Sequence, residues 1–203
     1  MRRSHSLGHL GQVLAVPVAV VTVAVVAAAA LVSGCTAPPR LTYTYSVRTI
    51  GPVHTDVRVL STLAHGVYAD PRGWSLGGRI AFREVAAGGD FTLWLATAGS
   101  VPTFSPACSV EYSCTVGRNV IINEARLAAG PPGYRWPDTL ASYRTMVLNH
   151  ETGHWLGLGH RFCGAPGAVA PVMQQQSISL QGCRANAWPL PAEIAAVATP
   201  RRL

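Results

Sequence analysis

The sequence predicts an α+β domain, and three observations carry the prediction. Leu41, Tyr43, Tyr45 and Val47 alternate with Thr42, Thr44, Ser46 and Arg48, the two-residue period of a half-buried strand. Apolar residues then recur at helical spacing twice, at Val57, Leu60, Leu63, Ala64 and Val67, and again at Leu140, Tyr143, Met146, Val147 and Leu148. From Gly157 onward Gly, Pro and Gln dominate, so that part is expected to be loop-rich. There are no internal repeats.

Taken in order, the chain opens with Met1, Arg2 and Arg3 and an apolar stretch over 13–32 that only Pro17 and Thr22 interrupt, closing on Val32-Ser33-Gly34-Cys35. This pattern predicts an export signal over 1–34. The small residues before Cys35 resemble the lipobox of bacterial lipoproteins, which implies cleavage before Cys35 and acylation of its new N-terminus. An uncleaved membrane anchor of about twenty residues is the alternative, and both readings put the following domain outside the cytoplasm. Residues 35–40, with Pro38-Pro39, are expected to be a tether, and 41–203 the folded domain.

Within that domain a helix is expected over 54–68, stopped by Asp70-Pro71-Arg72-Gly73. Strands are expected over 79–85 and 90–97, joined by 86–89, and over 119–123. Asn123 and Glu124 then end an apolar strand, either lining a cleft or facing solvent. Gly130-Pro131-Pro132-Gly133 reads as a loop, and Pro137-Asp138 as a helix start with Asp138 as its cap. Trp155 is expected to pack under the second helix, and Trp136 and Trp188 to be core or cleft-wall residues.

Composition narrows the function. Hydrophobic residues make up 49% and charged ones 12%, so a core of ordinary size can be buried and a disordered chain is excluded. All 16 basic residues are arginine, and losing Arg2 and Arg3 with the signal would lower the net charge of +7 by two. The remaining arginines are scattered without interleaved aromatics, so no nucleic-acid partner is expected. Besides Cys35 there are Cys108, Cys114, Cys163 and Cys183; in an exported chain these read as two disulfides. Of the three pairings, Cys108 with Cys114 and Cys163 with Cys183 are favoured because each closes a local loop. Thiolate ligation is the competing reading, but no Cys-x-x-Cys spacing occurs.

The chemistry concentrates at His150, where the chain reads His-Glu-Thr-Gly-His-Trp-Leu-Gly-Leu-Gly-His. At this composition, His-Glu-x-x-His arises by accident about 0.6% of the time, and with the later Gly and His about 2 times in 100,000. Four residues of helix are about 400° of turn and about 6 Å of rise, so His150 and His154 share one face. A continuing helix would carry His160 round to about 240° and about 9 Å further on. The helix must therefore break, and Gly157 is the residue able to take the left-handed conformation that breaks it. Three imidazoles around Zn²⁺ leave a fourth position for water, and Glu151 is placed to take a proton from it.

These residues, His150, Glu151, His154, Gly157 and His160, resemble the extended zinc-binding motif of the metzincin metallopeptidases. Met173, in Ala170-Pro171-Val172-Met173-Gln174, resembles the Met-turn that these enzymes place beneath the metal. The run through Pro171 to Gln176 and on to Gly182-Cys183 is also similar to an uncharacterised group of exported actinobacterial proteins with a metzincin-like domain. The resemblance implies a metzincin-like zincin domain: a twisted mixed sheet above an active-site helix, and an extended substrate antiparallel to an edge strand. No tyrosine follows Met173, so the tyrosine ligand of the astacin-like branch has no counterpart, and with only a few residues between Cys35 and the first strand no cysteine-switch propeptide is expected.

The expectation is therefore a zinc-dependent endopeptidase, lipid-anchored at the outer face of the cell membrane, that hydrolyses peptide bonds through a Glu151-activated, zinc-bound water. Its expected partners are a peptide or protein substrate and, through Cys35, a membrane; it is expected to be a monomer. A zinc hydrolase acting on a cell-wall amide and a zinc-stabilised surface binding protein are the rival readings.

Overall fold

The computed structural model describes residues 41–198; the expected signal, the tether, Cys35 and the last five positions lie outside the described residues. The elements run β1 (Leu41–Ile50), α1 (Val57–Ala69), β2 (Ile80–Glu84), β3 (Phe91–Ala96), a 3-10 turn (Ala98–Thr103), β4 (Cys114–Val116), β5 (Asn119–Asn123), α2 (Glu124–Ala129), α3 (Leu140–Trp155) and α4 (Pro191–Ala198). The architecture is the expected α+β: one five-stranded mixed sheet in the order β2-β1-β3-β5-β4, with α1 and α3 packed on it and an irregular stretch before α4. Strands β2, β1, β3 and β5 are parallel, and only the edge strand β4 runs antiparallel.

β1 is long enough to serve two partners in turn. Its first half pairs with β2 (Leu41 opposite Ile80) and its second half with β3 (Tyr45 opposite Phe91). Residues 85–90 therefore carry the chain across β1, tied down on both sides by Val85 N to Tyr45 O (2.8 Å) and Asp90 N to Thr44 O (2.7 Å). Gly89, at φ +93°, permits the crossing, because a Cβ there would stand 2.9 Å from the Thr44 carbonyl oxygen.

Asp56 caps α1 by accepting from Arg58 N, and the helix buries Leu60, Ala64, Val67 and Tyr68. α3 begins at Thr139, whose hydroxyl accepts from Ser142 N (3.1 Å). The expected cap, Asp138, is exposed and stands one residue too early to reach that amide. Every residue of α3 from Val147 to Gly153 is buried, so this helix has no solvent face along the turns that carry the motif. Trp155 fastens its end to the sheet, with ring centroids 4.4 Å from Phe91 and 4.8 Å from Tyr43. Trp136 is buried against Tyr143, and the guanidinium of Arg72 lies over Trp188.

Three elements depart from the sequence expectation. β4 has three residues, too few to show a period. Asn123 and Glu124 neither line the cleft nor face solvent: the Asn123 side chain caps α2 by accepting from Ala125 N, and buried Glu124 accepts from the amides of His54 (2.7 Å) and Thr55 (2.5 Å). Beyond Gly157, where little regular structure is expected, α4 forms, opened by Pro191, whose fixed φ and missing N–H suit a first helical position. Among the described residues no helix is long and apolar enough to cross a membrane.

Candidate metal centre

The last turns of α3 place His150 and His154 one above the other. After them the chain stops being helical: Leu156 N bonds Thr152 O, Gly157 takes φ +91° and bonds His154 O, and Leu158 N returns to Gly153 O (2.9 Å). This is the break that the spacing demands, and it brings His160 back to the helix. His154 Nε2 is 3.1 Å from both His150 Nε2 and His160 Nε2.

The far side of two rings is fixed by backbone. His150 Nδ1 donates to Val172 O (2.8 Å) and His154 Nδ1 donates to Leu158 O (2.9 Å), which leaves each Nε2 as a bare lone pair turned toward the common centre. Burial pushes the His150 imidazole down to about 3 and lowers His154 and His160 as well, so all three favour the neutral, ligating form. A tetrahedral Zn²⁺ with Zn–N of about 2.0–2.1 Å separates its nitrogen ligands by about 3.3 Å, close to the spacing found here. The donor set fits a borderline-soft dication with one coordination position left open.

Glu151 lies beside this triad and is buried. Its environment pushes the carboxyl up to about 8: desolvation dominates, and the bond with Thr115 opposes it. The Thr115 hydroxyl, on edge strand β4, is 2.8 Å from Glu151 Oε2 and 2.9 Å from the carbonyl oxygen of the same residue. Nothing in the local sequence marks Thr115; its role depends on where β4 lies against α3.

Met173 is fully buried beneath α3, where the resemblance places a Met-turn. Its thioether occupies the space left by Gly153, inside the motif; a Cβ there would collide with Met173 Sδ and stand 3.0 Å from Trp74. Trp74, in turn, donates its indole N–H to Asn149 O (2.9 Å), tying itself to the same helix. Arg161 N bonds Met173 O (3.0 Å), so the strand-like stretch after His160 is stitched to the same turn.

Both expected disulfides are present, Cys108–Cys114 and Cys163–Cys183. They close the two loops that wall the cleft. Ser109, Tyr112 and Ser113 come from the first, and Gln175, Ser177 and Ile178 from the second, around a cavity of about 660 Å³ with the histidines and Glu151 at its head. Glu151 is the one acidic or basic side chain, apart from histidine, among the residues lining it.

A buried helix carrying two imidazoles, a glycine break that returns a third and a methionine under the pair together define an α+β domain built around three histidines that could hold a metal ion. The chain belongs to the family described as "Protein of unknown function (DUF3152)", whose profile matches residues 24–191. No curated protein matches it. Among solved structures it is similar to archaemetzincin from Methanopyrus kandleri, at 16% identity and a TM-score of 0.44, over 76% of this chain and 93% of that one.

Proposed function

We propose that this protein is a zinc-dependent endopeptidase. The observation that carries the reading is the convergence of three Nε2 atoms, that of His154 being 3.1 Å from each of the other two, with Nδ1 of His150 and His154 held by backbone carbonyls, beside a buried carboxylate. A structural site has no use for such a carboxylate. When bound, zinc supplies a Lewis acid that polarises a carbonyl and acidifies a water.

The chain's own residues do the rest. Glu151, its carboxyl raised toward neutrality, takes the proton of the attacking water and later delivers it to the leaving amine. Thr115 holds one carboxylate oxygen, leaving the other for that transfer. β4 offers an unpaired edge along the cleft for an extended substrate, and the walls between the two disulfide loops accept its side chains. We further propose export and lipid anchoring through Cys35, a monomeric chain, a peptide or protein substrate and no nucleic-acid partner, on the sequence features given above.

The test is elemental analysis of protein purified without chelator, followed by cleavage of a peptide library and of muropeptides with and without chelator. One zinc per chain and chelator-sensitive cleavage are expected. A chain that neither carries nor regains zinc overturns the reading; cleavage confined to muropeptides replaces the peptide substrate with a cell-wall amide.

A further inference from the structure

The segment under His150 is itself held from below by one carboxylate. Glu193, in the first turn of α4, is 3% exposed. Its Oε1 accepts from Met173 N (2.8 Å), and its Oε2 accepts from Val172 N (3.0 Å) and Leu190 N (2.7 Å). None of the ion pairs among the described residues involves it, so its charge is met by backbone amides alone.

One of these bonds lies in line with a proposed metal ligand. The N–H of Met173 and the C=O of Val172 belong to a single peptide group. That group donates to Glu193 at one end and accepts from His150 Nδ1 (2.8 Å) at the other. A charged acceptor on the N–H draws density toward the carbonyl, which strengthens it as an acceptor for the imidazole proton and makes the opposite ring nitrogen a better donor. Where a carboxylate touches a metal-binding histidine directly, it orients the ring and raises its basicity; here a peptide plane stands between the two.

We propose that Glu193 is a positioning residue of the metal centre, acting on His150 through the Val172–Met173 peptide. The proposal rests on the reading of His150, His154 and His160 as metal ligands. It concerns metal affinity, not the protein's choice of substrate.

The experiment measures Zn²⁺ affinity of the full chain by competition with a chromophoric chelator, well below the melting temperature. Glu193→Gln places an NH₂ against at least one backbone N–H and removes the charge. It is expected to weaken zinc binding about 10- to 100-fold. Glu124→Gln is the control: that carboxylate also accepts two amides and is buried, but it holds the start of α1 to α2. It is expected to lower the melting temperature with zinc affinity unchanged.

A second readout needs no metal. The His150 Nδ1 proton, seen by NMR in the chelated protein, is expected to move upfield in Glu193→Gln. Equal zinc affinity in Glu193→Gln and wild type, or equal losses in Glu193→Gln and Glu124→Gln, would overturn the proposal. If Glu193→Gln does not fold, Glu193→Asp takes its place, with an intermediate loss expected and unchanged affinity again overturning it. Failure of the ligand reading looks different: wild type would bind no zinc, or His154→Ala would bind it as tightly.

Discussion

The two sides of the cleft hold different parts of the chemistry. On the sheet side, regular secondary structure presents β4, and Thr115 on that strand grips Glu151. On the floor side, from residue 157 to 190, no helix or strand is present, yet this stretch supplies His160, the carbonyl that orients His150 and the methionine beneath α3. The floor is held by a disulfide, by the carboxylate of Glu193 and by side-chain amides, such as Gln176 bonded to Pro171 O and to Asn186. A sheet edge can position a base because its geometry repeats; a metal floor without repeats needs individual ties. Damage to the sheet side should therefore reach the rate first, and damage to the floor should reach the metal first.

The sharpest break between the two comes from neighbours on α3. Glu151→Gln keeps the size of the side chain and its bond with Thr115 but removes the base, so zinc is expected to stay while turnover falls about 10²- to 10⁴-fold. His154→Ala should lose zinc and activity together. Metal analysis beside single-turnover rates checks both; loss of zinc from Glu151→Gln would give Glu151 a structural role.

The disulfides carry the same comparison one step down. In the chain-entropy model, closing the sequence separation of 20 at Cys163–Cys183 is worth about 3 kcal/mol, and the separation of 6 at Cys108–Cys114 about 2 kcal/mol. The stabilities are similar, but the loops are not. The first encloses Met173 and the carbonyl of Val172, and the second closes a wall beside β4. The double change Cys163→Ala with Cys183→Ala is expected to weaken zinc binding more than Cys108→Ala with Cys114→Ala, both read below their melting temperatures. Equal zinc affinity in the two would show that the larger loop does not buttress the site.

Much of the site was legible in the sequence because its chemistry is local. His150, Glu151, His154, the Gly157 break and His160 sit within eleven positions; helical geometry brings the first two rings together, and the break returns the third. The pairing of cysteines followed from loop length, and the strand at 41–50 from a clean alternation in its first eight residues, although burial along it peaks in the middle, at Tyr45 and Ser46, rather than alternating. Thr115 and Glu193 were not legible, because each acts on a residue more than twenty positions away or on another element. Glu124 shows the same limit: a carboxylate near an apolar strand reads as a solvated end until His54 and Thr55 are seen to donate to it. α4 was hidden by its neighbours, since a helix of eight residues after a long irregular run, apolar except at Glu193, has too little polar contrast to declare a period.

Gly153 tests the floor from the helix side, with a smaller effect. Its place inside the motif is set by packing, since Met173 and Trp74 occupy the volume a side chain would need. Gly153→Ala is compatible with the helix and even gains propensity, but the extra methyl must push the thioether down or the helix up. A net destabilisation of about 1–3 kcal/mol is expected, as for overpacked cores. Denaturant melts with and without zinc check it: if the floor carries the metal, the variant should also lose zinc affinity, and unaltered stability would mean that Met173 moves aside freely.

The smallest expected effect separates base from ligands by pH, in protein stripped of metal. Glu151 goes from an ordinary 4.5 up to about 8 on folding because burial disfavours its charge, so the folded chain holds a proton that the unfolded chain has released. That contribution is complete below pH 4.5 and is lost as pH rises toward 8. The histidines act in the opposite sense. Their folded values lie below the ordinary 6.5, so the unfolded chain binds the extra protons, and their contribution is present above pH 6.5 and lost as pH falls. Below 6.5 the two slopes oppose each other; between 6.5 and 8 that of Glu151 stands apart from them. The chelated wild type is therefore expected to lose stability steadily from pH 6.5 to 8, and Glu151→Gln to lose markedly less over the same range. Adding Zn²⁺ should flatten the wild-type slope, because a dication beside the carboxylate favours its ionised form. Parallel stability curves for wild type and Glu151→Gln in chelator would mean that the carboxylate is already ionised in the folded chain, leaving it a proton acceptor of ordinary strength.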